Sequence, residues 1–286
     1  MERKTLYPYL LLLPSMIIIF SRLLLPLGFS LFCSLFKCDY MQFTRFVGFG
    51  NFVKVFKNGE YMSALVRTGY ISLVCLTVSL VLGTAFALWI HRCTGLFAYS
   101  IQITVLIPWV TSMVVSALLW KWIFNTDLGI LNYLMSLLGI GKAPFLMQPS
   151  TALWTLIFVM SWRTVGYAMV QILAGLKGIS PAIEEAAMID GANRWQLFRF
   201  VRLPMLKTPM LISSIILTLS NINNLVVPLT LTGGGPGTST SVITIPMYRL
   251  GFTYYQFGTA SALSFILFVI TFLLSVIYVK AVRYEV

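Results

Sequence analysis

Three side-chain amides, Asn221, Asn223 and Asn224, stand together in an apolar stretch with no charge nearby. A carboxamide carries donors and acceptors on one group, the combination needed to exchange hydrogen bonds with sugar hydroxyls. Residues three apart share a helix face, so Asn221 and Asn224 point the same way and Asn223 does not fully join them. Amides in an apolar medium are costly unless they pair or face a polar cavity. Solute contact is therefore expected of Asn221 and Asn224, and hydrogen bonding between helices, the other use of such groups, of Asn223. Arg22 and Arg163 raise the same question more sharply, because each falls inside an apolar run that holds no carboxylate. Arg163 lies one helical turn before Gly166. Its planar fork suits an anionic solute such as a uronate or a sugar phosphate; the alternative is a bond to backbone carbonyls or to a carboxylate on another chain.

Several other chemistries are excluded. All eight carboxylates, Glu2, Asp39, Glu60, Asp127, Glu184, Glu185, Asp190 and Glu285, fall outside the apolar runs, and the one histidine, His91, sits at the edge of one. Proton-coupled carriers bind their proton on ionisable groups inside the bundle, so a proton relay is not expected; sodium coupling through carbonyls and amides stays open. A membrane enzyme needs clustered acids, bases or metal ligands, and none cluster here. The cysteines at 33, 38, 75 and 93 form no CxxC pair, which argues against a metal site or a disulfide framework. Gly141-Lys142 lacks both the upstream glycine and the following hydroxyl of a phosphate loop. No cofactor is expected in this chain, and any ATP is bound elsewhere.

The elements that must position these groups are membrane spans. The chain has 286 residues, 58% hydrophobic and 10% charged, a balance that suits a lipid-facing surface and excludes a cytosolic enzyme or a disordered chain. Six stretches can cross about 30 Å of hydrocarbon as helices: residues 9–36, 68–90, 96–120, 151–176, 209–231 and 260–279. The first is overlong and interrupted by Arg22 and Pro26, which predicts a tilt or a kink. It begins as a signal peptide would, with Arg3 and Lys4 before an apolar run, but no small-residue cleavage site comes after it, so it reads as an anchor. Six crossings put both termini on one side. That side holds ten of the Lys and Arg residues and the other eight, which favours cytoplasmic termini. The net charge of +12 points to anionic headgroups rather than nucleic acid. Gly166 in the fourth span, between Val165 and Met169 on either side, would let a ligand approach the backbone or let helices pack closely.

Between the fourth and fifth spans, residues 177–208 form a polar segment with its own punctuation. Ser180-Pro181 offers an N-cap and a first-turn proline, Gly191 a stop, and Asn193 with Gln196 a second capping box. Two short helices outside the membrane are predicted. Arg194, Arg199, Arg202 and Lys207 approach the membrane again, where headgroup anchoring is the expectation for most of them.

Here the residues carry a resemblance. Glu185-Ala186-Ala187, Asp190-Gly191-Ala192, then Phe198, Val201 and Leu203-Pro204 resemble the EAA loop of binding-protein-dependent ABC importer permeases. Phe46-Val47-Gly48-Phe49-Gly50-Asn51-Phe52, Leu173-Ala174-Gly175-Leu176 and Leu231-Thr232-Gly233-Gly234-Gly235-Pro236-Gly237 are similar to stretches of the carbohydrate branch, which includes the maltose and glycerol-phosphate importers. The resemblance implies an all-α, six-span permease of the type I importer fold. It would form a single transmembrane domain over 1–286, with 177–208 as its cytoplasmic coupling loop. The implied partners are a second permease in a heterodimer, two ATPase subunits that bind ATP and Mg, and an extracytoplasmic solute-binding protein. The EAA helix would seat in a cleft of the ATPase, with Glu184, Glu185 and Asp190 available to basic residues, Ala186 and Ala187 permitting close approach, and Gly191 supplying the bend. Similar permeases contact sugar through amides placed like Asn221 and Asn224, with the region of Val165, Gly166 and Met169 as the opposing wall. The expected function is import of a sugar or sugar-like solute across the cytoplasmic membrane, with ABC import of an acidic sugar or glycerol phosphate as one alternative. An ion-coupled secondary transporter is the alternative from another class.

Overall fold

The computed structural model describes residues 3–283. Glu2 and Glu285, both expected outside the spans, lie outside the described residues. Two compact units are formed, one from Met1–Ser63 with Pro246–Phe272, the other from Ala64–Ile245 with Leu273–Val286.

The first unit opens with α1 (Arg3–Ile19) and α2 (Leu25–Ser34), joined by a π-helical turn over Phe20–Leu24. That widened turn falls on Arg22, where a kink is predicted, and Arg22 itself is exposed. The chain then forms a hairpin, β1 (Phe36–Asp39) against β2 (Gln42–Phe46), antiparallel. Its aromatic rings pack on one another and on α2: Phe43 lies 5.6 Å from Phe32 and 5.8 Å from Phe36 between ring centres. Next comes α3 (Gly50–Lys57), whose Asn51 gives the Phe46-to-Phe52 motif a physical reason. Its Nδ2 donates to the carbonyls of Ser34 and Phe36, both at 2.8 Å, tying the end of the first span to the hairpin.

From there the chain runs through α4 (Gly59–Arg92), α5 (Gly95–Val110), α6 (Met113–Ile123), α7 (Ile130–Leu137), α8 (Pro149–Lys177) and α9 (Pro181–Ile189). The remaining helices are α10 (Arg194–Met205), α11 (Lys207–Ile222), α12 (Val226–Leu231), α13 (Thr244–Phe252) and α14 (Phe257–Arg283). The core of the second unit is built on α8. Leu156, Met160, Met169, Ile172 and Leu176 are all essentially inaccessible. A side chain at Gly83 would press on the backbone of Met169, 2.9 Å away, so α4 and α8 approach as only a glycine permits.

Four helices or helical runs, Tyr9–Ser34, Gly59–Arg92, Pro149–Lys177 and Phe257–Ala281, are long and apolar enough to cross a membrane; two bent pairs bring the number to six if each is one span. Helix breaks correct two expectations. The third span is not continuous over 96–120: α5 and α6 meet at 99°. Pro108 lies in the last turn of α5, and Thr111 leaves the helical conformation with ψ at 143°, so the chain turns there although no glycine is present. Nor is the fifth span continuous over 209–231, because α11 stops at Ile222 and α12 starts anew at Val226. The cause is Pro228, which has no N–H to give the carbonyl of Asn224; Thr244 Oγ1 donates to it instead, at 3.0 Å. The Asn223 side chain turns back on the Leu219 carbonyl at 2.9 Å, and the Asn224 side chain accepts from the backbone of Val227 at 3.1 Å.

Candidate functional site

The polar segment after α8 folds as two short helices, as its punctuation predicts. The start of α9 departs from expectation in one detail: Ser180 precedes the helix in extended conformation but its hydroxyl makes no cap bond, and Pro181 alone marks the first turn. The end is fully built. Gly191 adopts φ of +86°, its N–H bonds the Met188 carbonyl at 3.1 Å, and the N–H of Ala192 bonds that of Ala187 at 3.0 Å. This pair of bonds closes the helix in a Schellman motif, which needs a left-handed residue at Gly191. At the start of α10 the capping box forms in both directions. Asn193 Oδ1 accepts from the backbone of Trp195 and Gln196 at 3.0 and 2.9 Å, and Gln196 Oε1 accepts from the N–H of Asn193 at 2.8 Å.

The acids of this segment do not share one environment. Glu185 and Asp190 are exposed. Glu184 is held by Arg202, whose Nε and Nη2 donate to its two carboxylate oxygens at 2.8 and 2.7 Å. Their side chains are only 17% and 12% exposed. The fork of hydrogen bonds from Arg202 holds the Glu184 carboxyl below its usual range. Arg202 is thus not one of the headgroup anchors expected among the basic residues of α10. The pairing is hidden in the sequence because Leu197–Arg202 is π-helical, and one extra residue in a turn rotates the rest of the helix by about 100°. The outward face of α9 is largely apolar: Ile183, Met188 and Ile189 are 43%, 53% and 86% exposed, with Ala186 among them and Ala187 half-buried.

The expected solute-path residues are placed differently from one another. Asn221 is 4% exposed and its Nδ2 has no partner among the described residues, a buried donor of the kind that nearly always has one. Asn224 is half-buried and engaged by the break described above, so the two amides do not share the face of one continuous helix. Asn223 bonds its own helix rather than a neighbour. Gly166 faces α5: a Cβ there would meet the Val105 carbonyl oxygen and lie 3.0 Å from Leu106 Cα. This is the helix-packing alternative, with no room for a ligand at the backbone. Met169 is fully buried in a core with Ile172, Leu176 and Leu206, so it offers no wall to a solute. Val165 is 6% exposed and lines an apolar cavity of about 470 Å³ between α4, α5 and α8.

Arg163 takes up the second of its two expected uses, a bond to a backbone carbonyl. It is 5% exposed, and its Nη1 donates to the carbonyl of Thr111 at 2.8 Å and to Ser116 Oγ at 2.9 Å. Thr111 caps α5 and Ser116 lies in the first turn of α6. The last carbonyls of any helix lack an internal donor and carry its negative dipole end. The guanidinium therefore meets the open end of the broken third span. Sequence reasoning also misses Arg67, which donates to the Ser241 carbonyl at 2.8 Å. Beside it Thr68 Oγ1 accepts from Ile243 N at 2.8 Å. The two residues anchor the end of the glycine-rich loop, itself knitted by Thr232 and Thr240, whose hydroxyls lie 2.6 Å apart. Among the described residues no three His, Cys, Asp or Glu groups are placed to hold a metal.

Residues 7–283 match the family described as "Binding-protein-dependent transport system inner membrane component". Among relatives, the chain is 30% identical to the trehalose/maltose transport system permease protein MalF of Thermococcus litoralis, over 99% of this chain and 96% of that one. It is 26% identical to the sulfoquinovosyl glycerol transport system permease protein SmoG of Agrobacterium fabrum, over 96% and 89%. Among solved structures, a chain of a bacterial alginate ABC transporter in complex with its alginate-bound periplasmic protein superposes with a TM-score of 0.83 at 24% identity, covering 96% of this chain and 93% of that one. The fold is that of ABC importer permeases.

Proposed function

The chain belongs to the binding-protein-dependent transport system inner membrane components, a family of transport proteins rather than enzymes, and from that premise we propose how it works. It passes a sugar or sugar-like solute inward across the cytoplasmic membrane, with both termini in the cytoplasm. A binding protein delivers the solute outside, a second permease completes the passage as a heterodimer, and two ATPase subunits supply the energy from ATP and Mg. The relatives named for trehalose, maltose and sulfoquinovosyl glycerol support a carbohydrate. Arg163 by itself does not argue for an acidic one, since one of its nitrogens is engaged by a carbonyl and a hydroxyl within the chain.

One observation carries this reading. The motif from Glu185 to Gly191 occupies a short helix, closed by its own stop and succeeded by a separate cap, whose exposed face is apolar around Ile183, Ala186 and Ile189 with Glu185 beside them. A rigid apolar knob outside the spans has no use in a carrier working alone, but it fits a cleft in another protein. Affinity capture of the tagged chain should bring down an ATPase. Ile189→Glu, at a position 86% exposed, should abolish that capture and leave the melting temperature of the permease unchanged. Accumulation of solute by liposomes containing this chain and no ATPase would overturn the proposal in favour of an ion-coupled carrier. A thermal-shift screen of the binding protein against neutral and acidic sugars selects the solute.

A further inference from the structure

Resting on the coupling reading above, we infer that Glu184 is not a docking acid for the ATPase but one half of an internal strut. With Arg202 it fixes the coupling helix to the segment that leads into the fifth span. Three observations carry this. The pair is bidentate, at 2.8 and 2.7 Å, and nearly closed to solvent, so both Glu184 oxygens are engaged and little of the carboxylate is open to a partner's basic residue. A fork on a carboxylate fixes angle as well as distance. Next, the strut spans the one place where the two short helices would otherwise hinge, because Asp190 to Asn193 between them is a turn held only by its local caps.

The third observation is what lies beyond Arg202. Leu206, at the junction of α10 and α11, is 0% exposed and packs in a core with Ile172, Leu173 and Leu176 of α8. Immediately after it, Pro209 lies so close to α8 that a Cβ at Gly175 would fall 2.6 Å from its Cγ. Displacement of α9 is therefore passed through the ion pair to α10, and from Leu206 and Pro209 to α8 and α11, by groups in continuous contact. Without the strut, α9 would be tied to that core only at its start, through Ile179, and could pivot there, so an ATPase seated on it would move the helix more than the spans. Glu184 and Arg202 are positioning residues, and Glu185 and Asp190 are the acids left for the ATPase.

The test uses the assembled transporter in nanodiscs, with the binding protein as purified from its host together with the solute it carries. Two quantities are read: capture of the ATPase, and stimulation of MgATP hydrolysis by the binding protein. Glu184→Gln should keep capture and basal hydrolysis but lose about tenfold of the stimulation. The reciprocal pair Glu184→Arg with Arg202→Glu should restore most of it. Arg202→Lys, which keeps the charge without the fork, should fall between and serves if the reciprocal pair does not assemble. Loss of capture in Glu184→Gln would show that Glu184 docks the ATPase and would overturn the strut. So would unchanged stimulation in that variant, or no restoration in an assembled reciprocal pair. A wild-type chain that captures no ATPase would instead bring down the coupling reading, and the strut with it.

Discussion

Arg163 and Arg202 are both nearly buried guanidinium groups, and the chain neutralises them by opposite means. Arg202, on the polar segment, has a carboxylate that accepts from two of its nitrogens. Arg163, in the middle of α8, has no acid among its partners: one nitrogen serves a backbone carbonyl and a hydroxyl. The difference arises from the medium. Near water an acid can be brought to the base at modest cost, whereas inside the spans each added charge is expensive. A continuous helix offers no free carbonyl there, because all are bonded internally. A broken helix supplies carbonyls that have no internal donor, and Arg163 sits opposite the 99° break between α5 and α6. An arginine in a span can thus mark a broken neighbour rather than a charged cargo.

The sharpest way to break this comparison is to remove the cation from the apolar side. In Arg163→Met the Thr111 carbonyl and the Ser116 hydroxyl both lose their donor in a buried place, at about 1–3 kcal/mol each. Relief from burying a charge returns part of that. We expect a net loss of about 3 kcal/mol, read as a lowered melting temperature in detergent, and a spin-label distance between positions 99 on α5 and 119 on α6 that broadens. An unchanged melt and an unchanged distance would mean that the break stands without its clamp.

The same contrast separates what is legible in the sequence from what is not. The spans are legible because lipid demands about 20 apolar residues in a row, a signal that needs no knowledge of neighbours. The helix ends around Gly191 and Asn193 are legible because caps are local: donor and acceptor lie within five residues of each other. The breaks are not, since 96–120 and 209–231 carry no charge to mark them, and the carbonyls the breaks leave open are bonded by distant residues, Thr111 by Arg163 and Asn224 by Thr244. The solute path suffers most. Grouping Asn221, Asn224, Gly166 and Met169 assumes straight helices, and the structure sends them to a buried donor, a broken turn, a helix contact and a core. For Arg202, a π-helical turn sets its direction, and nothing in the residue types around it announces one.

The polar half of the comparison is sharpened by pH. The Glu184 carboxyl is held below its ordinary value by the Arg202 fork. A group whose pKa is depressed on folding adds stability above its unfolded pKa, about 4.3 for Glu, and loses it as pH falls through the lower folded value. The melting difference between wild type and Glu184→Gln should therefore be constant from neutral pH to about 5 and vanish only below about 4. Its neutral-pH size should be about 2 kcal/mol, as for a hydrogen-bonded charged pair mostly removed from water. A difference that already faded at pH 6 would mean the pair is loose and solvated. Arg163 should show no such dependence, since neither of its partners titrates.

The smallest expected effect tests whether the clamp on the third span holds both of its halves or only one. In Ser116→Ala the guanidinium keeps the Thr111 carbonyl and loses the hydroxyl 2.9 Å away in the first turn of α6. The carbonyl bond is the stronger of the two, because the guanidinium there meets the negative end of α5, while near the start of α6 it faces that helix's positive end. Deleting the hydroxyl should therefore cost no more than about 1 kcal/mol and free α6 to swing with α5 still capped. Label distances should broaden from position 119 on α6 and stay narrow from position 99 on α5, each measured to a third site on α8. If α5 loosens as much as α6, the two halves move as one body and the bend is set by packing alone. If neither does, the Thr111 bond is sufficient and Ser116 is a bystander to it.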